Sequence, residues 1–160
     1  AEEMEYAASF GIETAMVPGI SSSLAVPASQ NIPLTKRGSA ESFWVITGTT
    51  KEHQISSDIA LASKSNATVV ILMGMGKLAE IVKLFQQEHK NNLPVAIIQN
   101  GTTSKEKVGI GTVDTILDIV KENDLSNPAI IVLGEVVNHR AILANAEQEY
   151  LEEEYAKEVL

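Results

Sequence analysis

Pro94-Val95-Ala96-Ile97-Ile98-Gln99-Asn100-Gly101-Thr102-Thr103 reads as an apolar strand that runs straight into a turn of small polar residues. Val17-Pro18-Gly19-Ile20-Ser21-Ser22-Ser23 has the same design earlier in the chain. Strands that feed such turns are how an α/β domain presents backbone groups to a small molecule. On both sides of these stretches, β-prone and helical segments alternate. Thr68–Met73 is an unbroken apolar run, which predicts a strand buried on both faces. Leu78, Ile81, Val82, Leu84 and Phe85 then mark the inner stripe of a helix. Lys107–Thr112 reads as a glycine-flanked strand, Val113–Glu122 as a helix capped by Thr112, and Ala129–Leu133 as the last strand, after Pro128.

Toward the N-terminus, Thr14–Val17 reads as a strand ended by Pro18-Gly19, and Ser21 as the cap of a helix running to about Gln30. Phe43–Thr47 follows as a strand and Ile55–Lys64 as a helix. Residues 2–10 read as the end of a helix, with Gly11 where a C-terminus favours positive φ. The chain thus opens inside an element, as the second part of something longer would. The alternation predicts an α/β fold, a mixed, largely parallel sheet with flanking helices. No internal repeat or second domain boundary interrupts it.

With 160 residues the chain is long enough for one domain with its own core. Aromatics make up only 4% of it, so Val, Ile, Leu and Ala must fill that core. The absence of cysteine excludes disulfides, thiolate metal sites and a cysteine nucleophile together. No apolar run approaches the ~20 residues that span a bilayer, and no signal peptide opens the chain, so a cytoplasmic location is expected. A net charge of −9 argues against nucleic acid, whose phosphates need clustered Lys and Arg. Much of the acidity sits at Glu147, Glu149, Glu152, Glu153, Glu154 and Glu158, which predicts a solvated acidic helical tail over 145–160.

Gly74-Met75-Gly76-Lys77-Leu78-Ala79 has the spacing of the dinucleotide fingerprint G-x-G-x-x-[GA] after a buried strand. The acidic ribose partner expected at the end of the next strand is missing, because that strand ends in Gln99-Asn100. Two glycines there serve a tight turn equally well. His53, His89 and His139 lie far apart without carboxylates at ligand spacing, so no metal site is expected. Ser21-Ser22-Ser23 lacks a G-x-S-x-G turn and reads as a helix cap, whose free N–H groups can also hold a ligand. Lys36-Arg37, followed by Gly38, is either an ordinary solvated pair or an anion contact. Taken alone, these residues support an α/β domain with a small-molecule pocket at its strand ends.

Val17–Ser23, Ile32–Gly38, Val45–Gly48, Val70–Gly74, Pro94–Thr103, Gly111-Thr112 and Ile130–Val137 occur in the order found in one enzyme family. Over about residues 1–143 the chain resembles the tetrapyrrole methylases, and within them the uroporphyrinogen-III C-methyltransferase branch. That resemblance implies a two-lobed enzyme, with S-adenosyl-L-methionine held between the lobes and used to methylate uroporphyrinogen III toward sirohaem and cobalamin. The match is to the C-terminal lobe, residues 1–144. The Gly-Pro-Gly-Asp and Gly-Gly-Asp-Pro segments of the other lobe, with its acid–base residues, are not among these 160, so the chain alone is expected to be inactive and no catalytic residue is assigned. Position by position, the resemblance assigns cofactor contacts to Ser21, Ser22, Met73 and Gly101, with Ala96 and Thr102 beside them. It assigns substrate contacts to Lys36 and Arg37, and it implies a homodimer. The family usually has His where Lys36 stands and more often an acid where Gln99 stands, and it has no counterpart of the acidic tail. Another tetrapyrrole methylase, or a non-catalytic binding or assembly module that keeps the fold, would share most of these features.

Overall fold

The computed structural model describes residues 2–142 and 150. Its centre is a five-stranded sheet built from β1 (Phe43–Thr47), β2 (Thr68–Leu72), β3 (Pro94–Gln99), β4 (Lys107–Thr112) and β5 (Ala129–Leu133), in the order β1-β2-β5-β3-β4. The mixed sheet and flanking helices match the expectation, but the balance of directions does not. Only β1 and β2 pair in parallel, whereas β5 runs antiparallel to both β2 and β3, and β4 antiparallel to β3. The cause is connection length. Residues 100–106 are too few for the crossover that a parallel neighbour requires, so β3 turns back directly into β4.

Alternating strand residues build two cores. Ile46, Val69, Ile71, Val95, Ile97, Ile131 and Leu133 face α3 (Ser57–Ala62), α4 (Leu78–Gln87) and α5 (Ile116–Glu122). The other face carries Val70, Ala96, Ile98, Ile130 and Val132. They pack against Val26 of α2 (Ser22–Ser29) and against Val136 and Val137 of the 3₁₀ turn Glu135–Asn138. Covering on both faces explains why β2 and β3 read as unbroken apolar runs. α4 buries the Leu78, Ile81, Val82 and Phe85 stripe, while Leu84 stays half-buried.

Three local readings need correction. Thr14–Val17 forms no strand: residues 12–21 follow α1 (Glu2–Ser9) as an exposed segment without regular secondary structure, with Met16 at 74% and Val17 at 88% exposure. Its β-propensity finds no partner strand among the described residues, and an unpaired strand does not persist in water. Helix α3 is shorter than Ile55–Lys64, because Ser56 caps it with its side chain on the Asp58 N–H. Helix α5 begins after Thr115, not Thr112; the Thr115 hydroxyl accepts the Thr112 N–H at 2.8 Å and holds the chain in a turn first. The tail over 145–160 lies outside the described residues, Tyr150 apart.

β1, β2 and β3 all point the same way, so the loops after Thr47, Leu72 and Gln99 leave from one end of the sheet. The first two touch through glycines. A Cβ on Gly48 would lie 2.3 Å from the Gly74 Cα, and Gly48 N–H donates to the Leu72 carbonyl at 2.6 Å. Gly74 is itself enclosed by Ile71, Ile81 and Ile131. The glycine of the fingerprint-like loop therefore serves close backbone packing. A separate 3₁₀ turn, Met75–Lys77, intervenes before α4, so the strand does not feed that helix directly.

Candidate functional site

The shared end of the sheet opens into a cleft of about 480 Å³. Its walls are Leu72 and Met73 at the end of β2, Ile98, Asn100 and Gly101 at the end of β3, and Pro128, Ala129 and Ile130 at the start of β5. Ser22 and Val26 of α2 close one side, with Thr103 on the loop opposite. Register explains the convergence: Ile130 lies opposite Leu72 on one side and Ile98 on the other. The Asn100 N–H then donates to the Pro128 carbonyl at 3.0 Å, extending the ladder one step past the strand.

The backbone leaves the strands abruptly. Met73 (φ 54°), Asn100 (φ 50°) and Thr102 (φ 65°) all adopt the left-handed conformation that non-glycine residues rarely take. Such strain concentrates at ligand sites, where packing over-determines it. It turns Met73 outward, 64% exposed. It also leaves Gly101 with no backbone hydrogen bond among the described residues.

Of the residues assigned by sequence, Ser22, Met73 and Gly101 line one cleft although they come from three separate segments. Ser21 sits beside it as the N-cap of α2, accepting the Ser23 N–H at 3.3 Å with its hydroxyl 2.7 Å from that of Ser23. The capping reading thus holds for Ser21, while Ser22 faces the cleft. Ala96 is fully buried one step down the same sheet face, in the layer under the cleft and not on its wall. Thr102 does not line the cleft, and its N–H donates to the Glu106 carboxylate at 2.7 Å. Lys36 and Arg37 are not at this cleft. They sit on an exposed turn closed by reciprocal Lys36–Ala40 backbone bonds of 2.8 and 2.9 Å, with Gly38 (φ 77°) at its tip. Thr35, just before them, borders a second apolar hollow formed with Leu24, Ala28, Leu34 and Phe43 on the other side of α2. Arg37 makes no ion pair or side-chain hydrogen bond among the described residues, so nothing ties it to the sheet.

Eight of the eleven lining residues were not singled out in the sequence as contacts, among them Val26, Asn100, Thr103 and Pro128. Asn100 and Thr103 sit in the strand-end turn quoted first. Val26 and Pro128 carried no signal, because their place depends on the α2 packing and the β5 insertion. Gln99, where the family more often has an acid, is 8% exposed and accepts the Ser126 N–H at 2.7 Å. Its amide oxygen does what a carboxylate would do there, fixing the approach to β5.

No lining residue of the cleft titrates near neutral pH. The shifted groups lie at the opposite end of the sheet. Burial pushes the Lys90 amine below its usual range against a weaker opposing pull from Glu88, and its ammonium donates to the Ser65 carbonyl. Hydrogen bonds from Asn91 and Gln86 hold the exposed Asp114 carboxyl below its usual range. Among the described residues no group of three His, Asp or Glu side chains could hold a metal ion, and no helix is long and apolar enough to cross a membrane. The cleft can bind and orient a partly apolar molecule, and it has no group of its own for proton transfer.

The family profile described as Tetrapyrrole (Corrin/Porphyrin) Methylases matches residues 1–117. The chain belongs to the tetrapyrrole methylases. Among curated members of this family, it is 41% identical over 125 residues to a uroporphyrinogen-III C-methyltransferase of Methanocaldococcus jannaschii, covering 77% of this chain and 52% of that one. It is 37% identical over 145 residues to the enzyme of the same name from Synechocystis sp., covering 89% and 55%. The tetrapyrrole methylase chain described here thus spans about half the length of these relatives. A solved Thermus thermophilus uroporphyrin-III C-methyltransferase in complex with S-adenosylhomocysteine superposes with a TM-score of 0.72 at 26% identity, over 86% of this chain and 59% of that one. A cobalt precorrin-4 methyltransferase shares the fold with a TM-score of 0.77 at 20% identity, over 85% of this chain and 58% of that one.

Gly101 generates a prediction that concerns packing as well as binding. A Cβ there would lie 2.3 Å from Val26 Cγ1, so the glycine lets α2 close onto the β3–β4 loop. Substituting Gly101 by Val would therefore disturb the fold, not the ligand alone. Gly101→Ala is expected to cost about 1–3 kcal/mol in urea unfolding. Combined with Val26→Ala, the double variant should recover at least half of that penalty in a double-mutant cycle. Strict additivity of the two single effects would show that Val26 is not what the glycine accommodates.

Proposed function

We propose that this chain is the cofactor-binding C-terminal lobe of an S-adenosylmethionine-dependent uroporphyrinogen-III C-methyltransferase. One observation carries the reading: the family's separated serine, methionine and glycine motif positions meet as Ser22, Met73 and Gly101 around a single cleft. The donor set fits an adenosine. Leu72, Ile98 and Ile130 offer an apolar slot, while Ser22, Asn100, Thr103 and the unengaged Gly101 backbone supply hydrogen-bonding groups at its edge. When bound, S-adenosylmethionine supplies a sulfonium methyl for in-line transfer to a carbon nucleophile. The residues here hold and orient; alignment of the reacting atoms is the main service such a transfer needs from a protein. Proton handling falls to groups outside this cleft, so the chain alone is not expected to turn over substrate.

Exposed apolar residues support a larger assembly. Tyr6, Phe10, Ile12, Met16, Val17 and Ile20 are 59–91% exposed along α1 and the segment after it. A run of exposed large apolar residues of that kind is normally covered. The other half that the longer relatives possess, in a cytoplasmic homodimer, is the cover this reading assigns.

The cofactor assignment is tested by calorimetry on the full-length protein. S-adenosylhomocysteine should bind and a nicotinamide dinucleotide should not. Met73→Ala should weaken S-adenosylhomocysteine about tenfold through lost apolar contact, with the melting temperature little changed because the side chain is mostly exposed. Unchanged affinity would remove Met73 from the site.

Lys36 and Arg37 are the proposed substrate contacts, beyond α2 from the cofactor wall. An octacarboxylate entering a chain of net charge −9 needs local cations, and a guanidinium with no internal partner can take a carboxylate with two hydrogen bonds. Arg37→Ala should raise KM for the tetrapyrrole about fivefold with cofactor affinity and melting temperature unchanged. A lower melting temperature with unaltered KM would assign Arg37 to the fold.

A further inference from the structure

Three side chains link a helical turn far along the chain to the cleft wall. Arg140 Nε donates to Gln30 Oε1 at 3.3 Å, and Gln30 Nε2 donates to Glu106 Oε1 at 2.6 Å. The second oxygen of that carboxylate, Oε2, accepts the Thr102 N–H at 2.7 Å. Arg140 lies in helical residues 139–142, Gln30 caps the C-terminus of α2, and Glu106 ends the β3–β4 loop. All three are half-buried, where such bonds are less screened than at the open surface.

The charges at the two ends fix the middle. Gln30 has an oxygen that only accepts and a nitrogen that only donates. With a guanidinium on one side and a carboxylate on the other, a flipped amide would set donor against donor and acceptor against acceptor. The observed orientation is the one that satisfies both. Gln30 therefore holds Glu106 in a single rotamer, and Glu106 holds the backbone at Thr102.

That backbone needs holding. Asn100 and Thr102 are both left-handed, on either side of Gly101, and each conformation is costly for a residue with a Cβ. Asn100 is fixed by the Pro128 carbonyl and by the Thr103 hydroxyl on its own carbonyl at 2.7 Å. The bond that fixes Thr102 is the one from Glu106, and it is charge-assisted. We infer that Glu106, oriented by Gln30 and Arg140, is a positioning residue that sets the Gly101–Thr103 wall of the cleft for its ligand. Glu106 does not line the cleft itself; it acts through Thr102. The inference rests on the cofactor reading above for the identity of the ligand, while the clamp itself can be read without any ligand.

The experiment measures amide exchange at Thr102 in the ligand-free full-length protein and S-adenosylhomocysteine affinity by calorimetry. Wild type is compared with Glu106→Ala, Glu106→Gln and Gln30→Met. Glu106→Ala should speed Thr102 exchange and raise Kd, each about tenfold. Glu106→Gln should restore part of both: its amide oxygen can still accept the Thr102 N–H, while its NH2 then meets the Gln30 Nε2 donor. Gln30→Met, which keeps bulk and removes the amide, should give a smaller change in the same direction. Unchanged exchange in Glu106→Ala overturns the clamp. Faster exchange with unaltered Kd overturns its positioning role, and equal damage from Ala and Gln shows that charge alone, not the bond, is at work. If wild type binds no S-adenosylhomocysteine, the cofactor reading fails, and the exchange measurement still decides the clamp.

Discussion

β5 enters the sheet between β2 and β3 and runs against both, and the other features of the candidate site follow from that insertion. Ile130 has Leu72 on one flank and Ile98 on the other, so the ends of two strands that never touch are held at a fixed separation by a third. Pro128 and Ala129 become the floor between them. Had β5 joined the sheet at its edge, the Met73 and Gly101 loops would lie side by side and leave no opening. The buried apolar pairs of this central ladder, each adding favourable transfer free energy on leaving water, hold the arrangement.

Left-handed backbone at Met73, Asn100 and Thr102 is the cost of turning the chain off so sharply at the strand ends. The surroundings offset it in two ways. Backbone approaches that only glycine permits, Gly48 on Gly74 and Gly101 on Val26, bring the loops and α2 within contact. Hydrogen bonds to the Pro128 carbonyl and the Glu106 carboxylate, and one from the Thr103 hydroxyl, then fix what packing alone would leave loose. A ligand that enters meets walls already in place, so little ordering entropy remains to be lost on binding.

The strands were legible in the sequence because each is a short apolar run bounded by Gly, Pro or polar residues, and Phe43–Thr47, Lys107–Thr112 and Ala129–Leu133 fall where they were expected. Direction was not legible, since the periodicity of a strand is the same whichever way its neighbour runs; only the short 100–106 connection hinted at the reversal. Thr14–Val17 misled because β-propensity records a preference for a pleated partner, and the described residues offer none. At the site, Ser22, Met73 and Gly101 were reached through motif resemblance, and their meeting is a fact of register. Ala96 lies one pair below Ile98 along β3, in the layer beneath the cleft, a position that register alone decides. The Gln30–Glu106 bond joins residues 76 apart and belongs to no local pattern, so no reading of the sequence alone could supply it.

The central claim is that the β2, β3 and α2 ends together hold the adenosine part of S-adenosylmethionine. Amide chemical shifts of the full-length protein, recorded through a titration with S-adenosylhomocysteine, test it most directly. Ser22, Met73, Asn100, Gly101 and Thr103 should shift together with one dissociation constant, while Lys90 and Asp114 at the far end of the sheet stay in place. Saturable shifts confined to the Gly74–Ala79 turn, or to the far end, with the Met73 and Gly101 amides unmoved, would contradict the account.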